Sequence, residues 1–302
     1  MKFEKYQHVE KLGTPATEGI LNGEVYIFSK LDGTNTSVYL NEDGEIEVAS
    51  RNRVLTPEHD NAGAYAALHS QDKFKRFFAE YPNWRLYGEW LIPNVIRKYR
   101  DDAWNKFYVF DVVNENGKYI PYFDYAPILN NFWTPNDFGI EWIPLIARLT
   151  NPDTEDVMQQ LENCNYLVKD DTPGEGIVIK NYDFVNKFGR TTWAKIVRAE
   201  AKKAAKKTST PPIVGRSVEC DIVDHFVTSA LVEKEFSKIV NENGGQFENK
   251  LVGKFLGVLW YTFITEEMFN VLRKFKNPTI NFKLLHKMVV DRAKDIKADI
   301  FS

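Results

Sequence analysis

Pro211-Pro212 constrains what this chain can fold into more than any other feature, because it forces a break between two stretches of different periodicity. The run before it, Ala199 to Lys207, is built of Ala, Glu and Lys and suits a helix. Two consecutive prolines remove two backbone donors and bias the residue before them away from helical geometry, so a helix there must end. Upstream, short apolar runs bounded by Asn and Gly alternate with helical stretches. Downstream, apolar residues recur at helical spacing. We read 199–212 as a linker joining a mixed domain, 1–205, to a small all-helical domain, 213–302.

In the upstream part, Thr36 to Leu40 and Ile46 to Ser50 are strand candidates around Asn41-Glu42-Asp43-Gly44, a hairpin signal. Phe107 to Val113 is an apolar, aromatic run followed by a second such signal, Asn114-Glu115-Asn116-Gly117. Ile177 to Lys180 and Thr191 to Val197 flank a turn-like stretch ending in Gly189. Helices are expected over Ala62 to Tyr81 and over Thr154 to Leu161, the latter opened by Asn151-Pro152-Asp153. Downstream, Val232, Phe236, Ile239 and Val240 share one helical face. So do Leu251, Phe255, Val258 and Leu259, and then Met268, Val271, Leu272 and Phe275. Phe282, Leu285 and Val289 continue the pattern after Pro278.

The 302 residues are 43% apolar and 27% charged, which favours packed cores over disorder. No apolar run approaches a membrane span, and Met1-Lys2-Phe3-Glu4-Lys5 is not an apolar signal segment, so a cytoplasmic protein without a membrane partner is expected. Cys164 and Cys220 are far apart and the five histidines show no paired spacing, so neither a zinc site nor a disulfide framework is expected. A net charge of −3 neither favours nor excludes nucleic acid, because only the face that meets phosphate must be basic. Lys202, Lys203, Lys206 and Lys207 form a dense basic run, a pattern that is ordinarily a solvated helix face.

Ser29-Lys30-Leu31-Asp32-Gly33-Thr34-Asn35 places a lysine at a strand end, then a glycine that permits a tight turn, then a new strand. Taken alone, a KxDG pattern equally describes a surface turn with a solvated lysine. Further pieces follow in order: Ser50-Arg51-Asn52-Arg53, Gly88-Glu89-Trp90, Phe107-Tyr108-Val109-Phe110-Asp111, Gly174-Glu175-Gly176-Ile177-Val178-Ile179-Lys180 and Trp193-Ala194-Lys195-Ile196-Val197. Glu89, Glu175, Lys180 and Lys195 are charges in or beside apolar strands, which is costly unless the charges are used.

In this order and spacing the pieces resemble the covalent nucleotidyltransferase superfamily of ATP-dependent RNA ligases, DNA ligases and mRNA capping enzymes. The resemblance covers about the first two thirds of the chain. KLDGTN is similar to the nucleophile motif, SRN to the arginine motif after it, GEW to the third, FYVFDVV to its aromatic neighbour, EGIVIK to the fourth and WAKIV to the fifth. Asn35 in GTN, and the run His8-Val9-Glu10-Lys11-Leu12-Gly13, resemble RNA ligases of the phage type-2 class. The implied fold class is α+β: a nucleotidyltransferase domain of ATP-grasp-like antiparallel sheets with flanking helices, followed by a small helical domain that binds RNA ends.

The resemblance implies a monomeric enzyme that joins a 5′-phosphate to a 3′-hydroxyl of RNA through lysyl-AMP and adenylylated RNA. Lys30 is then the nucleophile, and Lys180 and Lys195 contact the α-phosphate of ATP. Arg51 fits a phosphate or ribose-edge contact, Glu89 a ribose hydrogen bond, and Ser29 belongs to the nucleotide-binding set. Phe110 either stacks on adenine or fills the core. Asp32 orients through ribose or metal-bound water, and Asn35 orders the RNA end and the AMP phosphate. Glu175 holds Mg²⁺, or Mn²⁺, through waters, since Mg²⁺ dehydrates reluctantly.

Two departures from the pattern stand out. Lys195 is followed by Ile196-Val197, so the second lysine of the fifth motif is missing and the next cation is Arg198. No arginine-rich sixth motif follows. Asn35 and that missing motif weigh against a DNA ligase or capping guanylyltransferase. The intact Lys30, Glu175 and Lys195 weigh against a nucleotide- or RNA-binding module without catalysis.

Overall fold

The computed structural model describes residues 1–93, 98–133, 139–169, 172–198 and 217–301. The linker expected at 199–212, with its lysine run and Pro211-Pro212, lies outside the described residues. The chain divides into two compact units, Met1–Lys207 and Thr208–Ser302.

The first unit carries two five-stranded sheets. The strands in chain order are β1 (Glu10–Lys11), β2 (Glu24–Lys30), β3 (Thr34–Leu40), β4 (Ile46–Ser50), β5 (Arg85–Leu91), β6 (Lys106–Val113), β7 (Ile140–Trp142), β8 (Leu145–Thr150), β9 (Gly176–Lys180) and β10 (Ala194–Val197). One sheet has the order β1-β10-β9-β2-β8 and the other β4-β3-β5-β6-β7. Pairing is antiparallel except at two edges, where β1 runs parallel to β10 and β7 to β6. The fold is therefore α+β with largely antiparallel sheets.

Turn chemistry explains the connections. Asn41 Oδ1 accepts the amides of Asp43 and Glu45, and Gly44 takes the left-handed φ of 78° that closes the β3–β4 hairpin. Asn114 does the same for Asn116 and Lys118. There, however, the returning chain makes only a bridge between Val113 and Tyr119 before Pro121 turns it into a helix, so no second full hairpin forms.

The single helix expected over Ala62 to Tyr81 is two helices, α1 (Ala64–Leu68) and α2 (Asp72–Glu80). Ala62 and Gly63 both have left-handed φ, which delays the start, and Gln71 is extended, which ends the first piece. The break sets Phe74, Phe77 and Phe78 of α2 into the core behind the second sheet, with Tyr125, Leu129 and Trp133 around α3 (Tyr122–Phe132). Each fully buried phenyl ring contributes about 1.5–3 kcal/mol by leaving water. Behind the first sheet, Val25, Ile27, Ile177 and Ile179 pack on Val157 of α4 (Thr154–Gln159). Asp153 caps α4 in a reciprocal box with Asp156, as the Asn-Pro-Asp opening foretold.

The second unit is helical: α5 (Val218–Phe226), α6 (Ser229–Glu242), α7 (Val252–Lys274) and α8 (Phe282–Ile296). Ser217, Thr228 and Asn281 side chains cap α5, α6 and α8. The apolar sets at 251–259 and 268–275 lie on one long helix, α7, whose Phe255, Leu259 and Val271 are buried with Val232, Ile239, Leu285 and Val289. Phe282 departs from the expected pattern: it opens α8 and is 53% exposed. Among the described residues no helix is long and apolar enough to cross a membrane.

Candidate active site

Strand alternation puts three lysines on one face of the first sheet. Lys30 pairs with Gly176, Phe28 with Val178, Tyr26 with Lys180, and Lys195 with Val178. With a side-chain period of two, Tyr26, Phe28, Lys30, Val178, Lys180 and Lys195 therefore share a face. The intervening Ile27, Ile177 and Ile179 fill the core on the other side. Ser29 also falls on that reverse side, buried, its hydroxyl without a hydrogen-bond partner. Its side chain and that of Lys30 thus point to opposite faces, which separates it from the other expected nucleotide contacts.

Leu31, Asp32 and Gly33 carry the chain from the first sheet to the second, so the KLDG motif is a crossover between sheets. Glycine is required at 33: a β-carbon there would stand 2.5 Å from the Trp90 carbonyl oxygen. The close approach lets the Gly33 amide donate to Glu89 Oε1 at 3.0 Å. Asn35 on β3 pairs directly with Glu89 on β5, placing both on the face toward the first sheet. Burial pushes the Glu89 carboxyl up to about 7; Lys30 and the Gly33 amide oppose the rise, while Glu175 and Asp32 add to it.

A bulge shapes the neighbouring strand. Tyr87 pairs with Asp111 and Gly88 with Val109, leaving Phe110 as an extra residue in β6. Phe107 and Val109 face the core behind the sheet, and strict alternation would send Asp111 there too. The extra residue restores the phase, so Asp111 faces the first sheet and Val112 returns to the core. Phe110 is only partly buried, with its ring 5.1 Å from that of Tyr6.

Between the sheets, Phe28, Leu31, Leu91 and Tyr108 form an apolar layer. At its open end the Lys30 ammonium donates to Glu175 Oε2 at 2.8 Å. The two side chains are 21% and 8% exposed. Lys180 is placed differently. Its side chain is 2% exposed, and its ammonium donates to Asp111 Oδ1 at 2.7 Å and to the Phe110 carbonyl at 2.5 Å. Tyr6 Oη and Trp193 Nε1 donate to the other Asp111 oxygen at 2.5 and 3.0 Å. Burial pushes the Lys180 ammonium below the ordinary lysine range, and the Asp111 charge works against that shift. Lys180 is thus committed to a carboxylate away from Lys30. Lys195 is buried on the same face as Lys30.

The remaining expected residues have identifiable partners. Asp32 Oδ2 lies 3.5 Å from Lys98 Nζ, and the Asp32 amide donates to Tyr99 Oη at 2.7 Å. Arg51 Nη2 is 3.2 Å from His8 Nδ1. Arg198, the cation in place of the missing second lysine, turns to the reverse side and donates to Glu162 at 3.0 Å. Sequence reasoning missed Asp111, Tyr6 and Lys98. A lone aspartate in an apolar strand is a signal that could have exposed Asp111. No local pattern marks Tyr6 or Lys98.

Among the described residues no group of three His, Cys, Asp or Glu side chains could enclose a metal ion. A divalent ion held by one or two carboxylates, waters and substrate phosphates, the habit of Mg²⁺, needs no such group. Glu175 and Glu89, close enough to influence one another, are the carboxylates that fit.

Two facing sheets, with a lysine at the crossover between them, define a covalent nucleotidyltransferase fold. The family model described as RNA ligase matches residues 23–197, more than half of the chain, and the chain belongs to the RNA ligase family. No curated protein matches the sequence. Among solved structures, the chain is similar to the Naegleria gruberi RNA ligase with PPi, at 20% identity and a TM-score of 0.50 over 68% of this chain and 59% of that one. It is also similar to a lysine-to-alanine mutant of that ligase with ATP and Mn, at 20% identity and a TM-score of 0.51 over 68% and 58%. A glutamate-to-alanine mutant with AMP and Mn gives 19%, 0.51, 67% and 58%. The chain thus spans less than two thirds of the ligase it resembles.

Proposed function

We propose that the protein is an ATP-dependent RNA ligase that joins 5′-phosphate and 3′-hydroxyl ends. The observation that carries this reading is Lys30: a lysine at the sheet-to-sheet crossover, held by Glu175 at 2.8 Å, in a chain of the RNA ligase family. Neighbours solved with ATP, AMP and Mn support a nucleotide and a divalent ion as its companions.

The chemistry divides one hard substitution into easier ones. An ammonium has no lone pair, so Lys30 first loses a proton, and Glu175 Oε2 is the acceptor within hydrogen-bond reach. The amine then attacks the α-phosphorus of ATP; the N–P bond forms as the bond to pyrophosphate breaks. The RNA 5′-phosphate next takes AMP from Lys30, and the 3′-hydroxyl displaces AMP from the activated end. Lys195 stabilises charge on the α-phosphoryl oxygens. Glu89 accepts from ribose, Asn35 orders the RNA end, and Phe110 offers a partly open ring to adenine. Mg²⁺ or Mn²⁺, held by Glu175 with Glu89 nearby, neutralises phosphate charge when bound. The type-2 phage resemblance of the motifs supports RNA at the 3′-hydroxyl side, and the helical unit contributes RNA binding.

The test is incubation with α-labelled ATP or GTP and a divalent ion, followed by a denaturing gel. Label from ATP, lost in Lys30→Ala, is the expected result. Label from GTP alone would move the chain to guanylyl transfer, and no label would leave a binding module.

A further inference from the structure

Residues 217–301 carry twelve lysines and arginines and twelve acidic residues, so the helical unit is neutral as a whole. The charges are not mixed evenly. Arg273, Lys274, Lys276, Lys283 and Lys287 fall within residues 273–287, a segment without Asp or Glu. They surround the corner where α7 ends and α8 begins. All five are exposed, and none pairs with an acid among the described residues. Other cations of the unit do pair: Lys238 with Glu235, Lys250 with Glu248, Lys254 with Glu242 and Lys297 with Glu233.

Helix stability explains only part of the corner. Arg273 and Lys274 end α7, where cations complement the helix dipole. Lys283 occupies the first turn of α8, where the dipole disfavours it, and Lys287 follows one turn on, where the dipole offers it nothing. No acid on these elements, Asp291 one turn beyond Lys287 included, forms an ion pair with the cluster among the described residues. Glu219 is buried and spent on the Asn281 amide at 2.7 Å, and Glu267 accepts from Asn270. Asp221 and Asp224 lie further along α5. Three large apolar side chains are exposed beside these cations: Phe282, Leu284 and Phe269, two of them aromatic. Unpaired cations interleaved with exposed aromatic rings suit a flexible polyanion whose bases are unstacked.

We propose that the α7–α8 corner binds single-stranded RNA, with Lys283, Lys287, Arg273 and Lys274 on phosphates and Phe282 against a base. This rests on the RNA-joining reading above and names the surface that grips the strand. The corner supplies backbone affinity without sequence readout, so its contribution falls with salt.

The experiment uses the full chain and a fluorescently labelled single-stranded RNA lacking a 5′-phosphate, with binding read by anisotropy across a salt series. Lys283→Ala/Lys287→Ala is expected to weaken binding about tenfold at low salt and to reduce the salt slope by about 1.4, two contacts at ~0.7 each. Phe282→Ala should weaken single-strand binding and leave duplex RNA binding unchanged. Lys250→Ala, which removes a paired lysine elsewhere on the unit, should change neither affinity nor slope. Unchanged binding in both corner variants, or an equal loss in Lys250→Ala, would overturn the proposal. ATP labelling of the same variants separates it from the ligase reading: a corner variant that labels normally but binds RNA weakly supports the corner, whereas absent labelling in every protein with intact corner-dependent binding removes only the ligase reading.

Discussion

Lys30 and Lys180 project from the same face of the same sheet, and each meets a carboxylate, at 2.8 and 2.7 Å. Their surroundings differ. Lys180 and Asp111 are sealed from solvent, and Tyr6, Trp193 and the Phe110 carbonyl satisfy the groups that remain. A buried pair survives only with such completion, and losing one partner strands a charge. Lys30 and Glu175 sit at the rim, where water or an incoming phosphate can replace either partner. One pair is built to stay closed and the other to open. The phosphate contact expected of Lys180 would require it to leave Asp111, so Lys195 is the better candidate for that role.

The largest expected effect is at the pair that opens. Lys30→Ala and Lys30→Arg should each abolish AMP attachment, measured as label per mole from α-labelled ATP; residual label on the alanine variant would end the comparison. At the closed pair, Asp111→Ala should cost about 3–5 kcal/mol of stability in urea titrations, since it leaves Lys180 buried without a counter-charge. A loss below about 1 kcal/mol there would mean that the pair is not what holds the two sheets. Lys195→Ala should unfold like wild type yet lose about 10²-fold or more in adenylylation rate, as expected for a contact that matters in the transition state. Wild-type rates would place the α-phosphate elsewhere.

The smallest effect is a pH dependence. The Glu89 carboxyl lies near 7 in the folded protein, above its ordinary 4.5. Between those values the folded form holds a proton that the unfolded form has released. Stability therefore falls as pH rises from about 4.5 to about 7 and then levels off. Glu89→Gln removes that slope and keeps an acceptor for the Gly33 amide. Relative to wild type it should gain about 2.5 kcal/mol between pH 5 and pH 8. An identical gap at both pH values would show that Glu89 titrates normally.

Much of this site was legible because its motifs are local. A strand end, a glycine and a strand start are all contained in Ser29 to Asn35, and the apolar runs around Glu89, Asp111 and Lys195 are strands wherever they fold. Gly33 and Gly88 follow from close backbone approach, since a β-carbon at 88 would stand 2.5 Å from the Phe107 ring. What was hidden depends on phase and on distant partners. Which face Ser29 takes is decided by the pairing of β2 with β9. The partner of Lys180 is decided by a bulge in a strand of the other sheet. Tyr6 reaches Asp111 from a segment with no regular structure, and His8 reaches Arg51 in the same way. In the helical unit, periodicity found Val232, Ile239, Phe255, Leu259, Val271, Leu285 and Val289, but it passed over Ile222, Val223, Val227, Phe263 and Ala293 and took Phe282 for a buried residue, because spacing carries no information about where a helix leaves its core.

β6 is one residue longer than its ladder uses, and this separates two kinds of change that a gene can make at Phe110. Substituting a small residue keeps the bulge and opens a hollow where the ring stood. Deleting the codon instead leaves Val109 and Asp111 as consecutive rungs opposite Gly88 and Tyr87, so the aspartate stays beside Lys180 and Val112 stays in the core. The sheet would close over the loss with every remaining side chain on its former side. What the codon at 110 adds is thus a ring beside Tyr6 and a carbonyl that accepts from Lys180 and Tyr125, so its deletion keeps the pattern of faces but takes one acceptor from the buried pair.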